Sequence, residues 1–427
     1  MADGDSCGKD PKTGACEYNF WRYNTPTNNA LVDSTNPAAM AQTTEHWFEG
    51  YGKYGVRAVW MDEAEPDHAK MISGGQWRLH AGTDTEVIPA WVKYWSKGFA
   101  ERFIDVHPDG EFFILSRNAW AGTSAHGTAL WSGDIGSNWG ELETAVTVGQ
   151  GVGMTGVPLW TTDIGGYSGG NPESASFQQM VVRWFQFGAF CPLFRLHGHR
   201  SIAHAVPQVN QCGPTNGDNE VWNLAKQPDH YAAIEKVMML REDLRNYVKQ
   251  INNESVMFGT PMMRAVALQF PADPVVKANV SSTEAEFLLG PDWLIAPVTA
   301  ENATSWPIYL PVLPEGDDKA SWIYWWNQTS YKGAALPLPC VSAAIVARTP
   351  PLPCVPAAIV AKTPPLPWVP AAIVAKTPPL PWVSAVIVAK TPPLPWVSAV
   401  IGTKGGQHLI VDTTAIGDFP LFYRRPK

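Results

Sequence analysis

Along the first two thirds of the chain, apolar residues alternate between two spacings. AAMAQTTEHWFEGYGKYG (38–55) sets them at helical intervals and closes on glycine, which predicts a helix. GVRAVWMD (55–62) is a short apolar run and predicts a buried strand. The order then repeats. WVKYWSKGFAERFIDVHP (91–108) predicts a helix, EFFILSR (111–117) and GTALWSGD (127–134) strands, WGELETAVTVGQGVGMTG (139–156) a helix with a glycine-rich turn. VPLWTTD (157–163) predicts a strand, SASFQQMVVRWFQFGAF (174–190) a helix, and CPLFRLHG (191–198) a strand or extended segment. Strands alternating with helices predict parallel strands joined by helical crossovers. The strand ends read VWMD, ILSR, WSGD, WTTD and FRLH, each closing on polar, reactive residues. Chemistry gathered at the C-terminal ends of parallel strands is the pattern of a (β/α)8 barrel.

Beyond about Leu268 the helical spacing stops. FLLGPDWLIAPVT, SWPIYLPVL, WIYWWNQTSY, QHLIVDTT and FPLFYRR are short strands without helices between them. They predict a second, antiparallel β domain. The chain therefore divides into an irregular segment (1–40), a barrel portion (41–270) and a C-terminal β domain (271–427). Within the last lies a fourteen-residue repeat from about Leu336 to Ile401, running LPLPCVSAAIVART, PPLPCVPAAIVAKT, PPLPWVPAAIVAKT and onward. Its near-identical copies read as a recent tandem insertion into a surface loop, with YKGA before and TKGGQ after as halves of a split hairpin. The alternative is a polyproline ligand for an aromatic groove.

Composition narrows the function. The 427 residues carry a net charge of -8 with both signs mixed, which argues against nucleic-acid and anionic-membrane partners. No run of about 18 apolar residues predicts a membrane span. The opening MADGDSCGKD lacks the basic-then-apolar pattern of a signal peptide, so the compartment stays open. Sequons at Asn253, Asn279, Asn302 and Asn327 hint at a secretory origin. The six cysteines form no CxxC pair, and His197, His199 and His204 have no carboxylate at ligand spacing. No metal or other cofactor is expected. Tryptophan is the outlier at 20 residues, and its flat face suits both a core and the C–H face of a sugar ring.

Two strand ends are candidates for chemistry. Asp62 closes VWMD and Asp134 closes LWSGD. Carboxylates on neighbouring strand ends of a barrel can share a cleft, which glycoside cleavage requires; barrel salt bridges and loop acids are the bland alternatives. DSTNPAAMAQTTEHWFEGYGKYGVRAVWMDEAEPD resembles the nucleophile region of glycoside hydrolase family 31, the retaining α-glucosidases and α-xylosidases. ILSRNAWAGTSAHGTALWSGDIGSNWGEL resembles that family's acid/base region. VPLWTTDIGGYSGG, FCPLFRLHGHR, GTPMMRAVALQFPADP and FLLGPDWLIAPVT are similar to later stretches in the same order. The resemblance covers roughly residues 32–327 and resumes near Gly405.

That resemblance implies an α/β fold: a partial (β/α)8 TIM barrel from about strand 4 onward, then an antiparallel β-sandwich. It implies that Asp62 is the nucleophile and Asp134 the acid/base, with retention calling for carboxyl groups about 5–5.5 Å apart. Trp60, Met61 and Trp131 would wall the sugar subsite. Arg117, Asp163 and His197 would bond sugar hydroxyls, and Arg195 would brace Asp163 or Asp62. Glu65 would orient the strand-end loop. Each has a structural alternative: Asp163 as a turn cap, Arg117 as a counter-charge, His197 as a core residue. The family's barrel begins with strands ahead of the nucleophile strand, so an N-terminally truncated chain is expected. The substrate it implies is a carbohydrate with terminal α-linked glucose or xylose. WMDEAEP and WTTDIGG lean toward the bacterial-type α-xylosidases. An inactive or sugar-binding remnant and an α-glucan lyase are the competing readings.

Overall fold

In the computed structural model, residues 32–64, 78–198, 200, 220–224, 227–313, 321–331, 397–403 and 406–425 are described. Short paired strands at Gly8–Lys9, Cys16–Tyr18, Phe20–Trp21 and Asn29–Ala30 are described as backbone. The chain divides into two compact units: Met1–Gly133 with Met154–Thr161, and Asp134–Gly153 with Thr162–Lys427.

The first unit is built on a parallel sheet. Its strands are β1 (Ala58–Met61), β2 (Phe113–Ser116), β3 (Thr128–Trp131) and β4 (Trp160–Thr161), in the order β4-β3-β2-β1. Helix α1 (Pro37–Gly50) leads into β1, and α2 (Trp91–Val106) runs between β1 and β2. Asn36 caps α1, its side chain accepting from the amides of Ala38 and Ala39, while Pro37 opens the helix without an orphaned N–H. Phe48 of α1 and Val92, Phe99 and Phe103 of α2 close over Met61 and Ile114 of the sheet. Phe103 is fully buried, and removing such a ring typically costs about 3–5 kcal/mol.

Strand β1 is one-sided, not buried as its apolar run suggested. Met61 is buried and Val59 packs against the α1/α2 core, but Ala58 and Trp60 are exposed. The pleat explains this, since successive side chains point to opposite faces and β1 is an outer strand of the described sheet.

The second unit holds α3 (Trp139–Met154), α4 (Ala175–Gly188), α5 (Pro228–Asp243) and α6 (Arg245–Phe258), the last two outside the pattern read from sequence. Residues 191–198 form no full strand; Leu196 makes one parallel bridge to Ile164. Arg241 of α5 donates to the carbonyls of Ala189, Cys191 and Pro192, fixing the segment that leads to Arg195.

The C-terminal domain is an antiparallel sandwich. One sheet orders β5 (Met263–Ala265), β6 (Phe287–Leu289), β7 (Trp293–Ile295), β13 (Leu421–Arg425), β9 (Ser321–Tyr324) and β10 (Ser330–Tyr331). The other orders β8 (Ser305–Pro311), β12 (Gly406–Asp412) and β11 (Val397–Thr403). Leu288, Leu294, Trp322 and Phe422 of the first sheet share a core with Ile308, Leu310, Leu409 and Val411 of the second. From the adjoining barrel helix α4, Arg183 donates to the carbonyls of Thr413 and Asp418, and Gln186 to Ile416.

The repeat needs a correction at its end. The backbone of residues 397–401, the final VSAVI, pairs with β12, so the insert does not extend to Ile401 as a surface loop. Nor are its flanks a split hairpin, because β10 pairs with β9 while β11 pairs with β12. The β-branched Val397, Val400 and Ile401 suit a strand, and β12 pairs with it. The remainder of the repeat lies outside the described residues.

Candidate active site

The strand register sorts the first unit's candidates by face. Trp60 aligns with Leu115, Leu115 with Ala129, and Trp131 with Thr161. These side chains share the face turned away from α1 and α2, in the order the pleat dictates. Leu115, Ala129, Trp131 and Thr161 are buried there, while Trp60 keeps 50% of its surface open. The two indoles meet edge to face, with ring centres 5.8 Å apart. Met61 was expected beside Trp60 as a wall of the sugar subsite. One residue of alternation instead sends it to the helix side, into the core with Phe48 and Phe103.

Two positions beyond Trp60 stands Asp62, and two beyond Leu115 stands Arg117. Both therefore emerge on the same face at the C-terminal end of the sheet. An Arg117 Nη1 lies 3.3 Å from Asp62 Oδ1, with side-chain exposures of 12% and 50% respectively. The Arg117 amide also approaches the Met61 carbonyl at 3.3 Å, continuing the ladder one step past the strands. Glu63 takes a left-handed backbone (φ 51°), and its amide donates to Asp62 Oδ1 at 2.8 Å. The turn thus holds the Asp62 carboxylate from behind while leaving it half open. Arg117 stands as a counter-charge beside Asp62. Glu65 lies outside the described residues.

In the second unit Asp163 is fully buried, and its carboxylate pairs with the Arg195 guanidinium. Burial pushes the Asp163 carboxyl up to about 6; Arg195 and Arg200 pull it down, and the charge of Asp134 pushes it up further. His197 stacks on Tyr167, with ring centres 5.5 Å apart and planes 24° from parallel. Asp134 itself is exposed, at the head of a loop that runs 134–138 into α3. Asp163 closes its turn through the backbone, its carbonyl accepting from the Gly166 amide at 2.9 Å.

Two residues escaped the sequence reading. Tyr167 carries His197, and Arg200, wholly buried, donates into the carbonyls of the Ile164–Gly166 turn. The available signal was the glycine pair itself: a DIGG turn that turns its carbonyls inward needs a buried donor, and LHGHR supplies one. Among the described residues no three His, Cys, Asp or Glu side chains gather as metal ligands, and no helix is long and apolar enough to cross a membrane. His199 and His204 are outside the described residues.

Comparison with known proteins places the chain. The glycosyl hydrolases family 31 TIM-barrel domain matches residues 3–250, and the family's C-terminal domain matches residues 259–355. The chain belongs to glycosyl hydrolase family 31, as a partial (β/α)8 barrel followed by a β-sandwich. It is 27% identical over 294 residues to an alpha-xylosidase of Saccharolobus solfataricus, covering 68% of this chain and 36% of that one. It is 35% identical over 173 residues to an uncharacterized family 31 glucosidase of Pseudescherichia vulneris, covering 40% and 32%. A solved alpha-xylosidase from a soil metagenome, complexed with xylose, matches at 32% identity and TM-score 0.65, covering 73% of this chain and 44% of that one. The chain thus spans about a third of the length of these curated relatives.

Proposed function

We propose that the chain carries the catalytic residues of a retaining α-glycosidase that removes terminal α-linked xylose or glucose from oligo- and polysaccharides. The observation that carries this is the Asp62 carboxylate, half open at the end of a parallel strand, with Arg117 3.3 Å away and the open face of Trp60 two residues before it. Asp62 attacks the anomeric carbon as the glycosidic C–O bond breaks, and Asp134 gives its proton to the leaving oxygen. Asp134 then takes a proton from water, whose oxygen displaces Asp62 and restores the anomeric configuration. Trp60 and Trp131 offer flat faces to the ring's C–H surface. His197 supplies hydrogen bonds to hydroxyls, Arg195 braces the buried Asp163, and no cofactor takes part.

Xylose is favoured over glucose by the likeness to alpha-xylosidases across most of this chain. The test is azide rescue with activated aryl α-xylosides and α-glucosides. Asp134→Ala should accumulate glycosyl-enzyme and yield the α-azide when azide replaces base-activated water. Asp62→Ala should yield the β-azide by a single inversion. The opposite stereochemistry would exchange the two roles, and unaltered turnover in both variants would end the glycosidase reading.

A further inference from the structure

The loop that begins at Asp134 and the loop that begins at Asp163 are joined backbone to backbone. The amides of Tyr167 and Ser168 both donate to the Ile135 carbonyl, at 2.8 and 3.1 Å, and the Ser137 amide donates to Ser168 O at 2.9 Å. Gly166 (φ 73°) makes the approach close enough that a Cβ there would stand 2.5 Å from the Gly136 carbonyl oxygen. One side chain from neither loop runs through this seam. Arg200, wholly buried, donates from Nη1 to Ser137 Oγ at 2.8 Å, to Gly166 O at 2.8 Å and to Gly165 O at 3.0 Å. Its guanidinium lies over the Phe177 ring, 5.1 Å from the centre. Burying a cation is costly unless it is hydrogen-bonded; turn carbonyls and a hydroxyl serve here, and the charge of Asp163 favours the guanidinium as well. The fork geometry of arginine lets one side chain hold both loops at once, which an ammonium on the same stem could not.

We propose that Arg200 is a positioning residue: a clamp that fixes the Asp134 loop in register with the Asp163 loop, and thereby sets where the acid/base carboxyl stands. This rests on the acid/base reading of Asp134. The clamp predicts selective consequences, because Ser137, a side chain of the Asp134 loop that Arg200 holds, is three residues from Asp134.

Hydrogen exchange on the full chain decides the clamp without reference to activity. Arg200→Lys should speed exchange of the Ser137, Tyr167 and Ser168 amides about tenfold or more, while the amides of α6 keep their parent rates. Ser137→Ala, which removes one hydroxyl and no charge, should do the same to a smaller extent and guards against a variant that fails to fold. Unchanged loop amides in Ser137→Ala and Arg200→Lys, or a uniform rise across α6 as well, would overturn the proposal. The second readout is leaving-group dependence of kcat/KM, which reports the first chemical step. A glycoside with a sugar or alkyl leaving group needs protonation, so Arg200→Lys should lower its kcat/KM about 30-fold or more. A dinitrophenyl glycoside needs little, and should lose less than about threefold. An equal loss on both substrates would reduce Arg200 to a structural residue. If the parent chain turned over neither, the glycosidase reading would fall, and the exchange result would still decide the clamp.

Discussion

Asp62 and Asp163 are both aspartates at the end of a parallel-strand segment, and both are paired with an arginine. Water makes them different groups. Asp62 keeps half its side chain exposed and holds Arg117 at 3.3 Å across a partly solvated gap. Asp163 has no exposure, and burial lifts its carboxyl to about 6 even with Arg195 in contact and Arg200 nearby. An exposed ion pair contributes little to stability because solvent already screens both charges. A buried pair is expensive to assemble and more expensive to break, because the survivor is left desolvated. The same residue pair therefore serves chemistry at one strand end and architecture at the other.

The largest effect should come from breaking the buried pair. Arg195→Met leaves Asp163 without its main counter-charge, and should destabilise the chain by about 3–5 kcal/mol in urea unfolding at neutral pH. A loss under about 1 kcal/mol would place this pair with the solvated ones and erase the contrast.

Titration gives a smaller effect with a fixed sign. The Asp163 carboxyl is raised in the folded state, so its contribution is fully present below the unfolded value near 3.9 and is lost as pH rises through about 6. A rise from 3.8 to about 6 corresponds to roughly 3 kcal/mol at 1.36 kcal/mol per pH unit. Asp163→Asn cannot ionise, so its stability relative to the parent should improve by that order between pH 3.5 and 7.5. Parallel stability curves for the two proteins would show that Asp163 titrates as an ordinary surface acid.

How far the sequence could have led depends on the kind of interaction. Period-3.6 segments with clear caps, such as Asn36–Pro37 ahead of α1, were legible because propensity and capping are local. The strand ends were legible too, since VWMD and ILSR each close an apolar run on a charged residue. Burial of β1 was not, because a short apolar run carries no mark of which face is covered. Met61 and Trp60 are adjacent and equally apolar, yet the pleat sends one into the helix core and leaves the other open. Arg200 was hidden for a different reason: its partners include carbonyls 31 to 36 residues away, which mark the sequence only indirectly, through the glycine pair of their turn. The strand at 397–403 was obscured by the repeat, whose periodicity outweighs the β-propensity of its last copy.

The smallest stability effect belongs to the residue with the largest proposed chemical role. Asp62→Asn keeps the size of the side chain, retains an oxygen to accept from the Glu63 amide, and removes only a half-exposed ion pair with Arg117. Exposed pairs contribute about 0–1 kcal/mol, so its unfolding midpoint should stay within that range of the parent. Turnover of an activated glycoside should nevertheless vanish, because a carboxamide is too weak a nucleophile to form the glycosyl-enzyme. Paired unfolding and kinetic measurements on the same preparation separate the two quantities. A destabilisation as large as that of Arg195→Met would mean that the Asp62 strand end is architectural as well, and the division between an open chemical pair and a buried structural one would no longer hold.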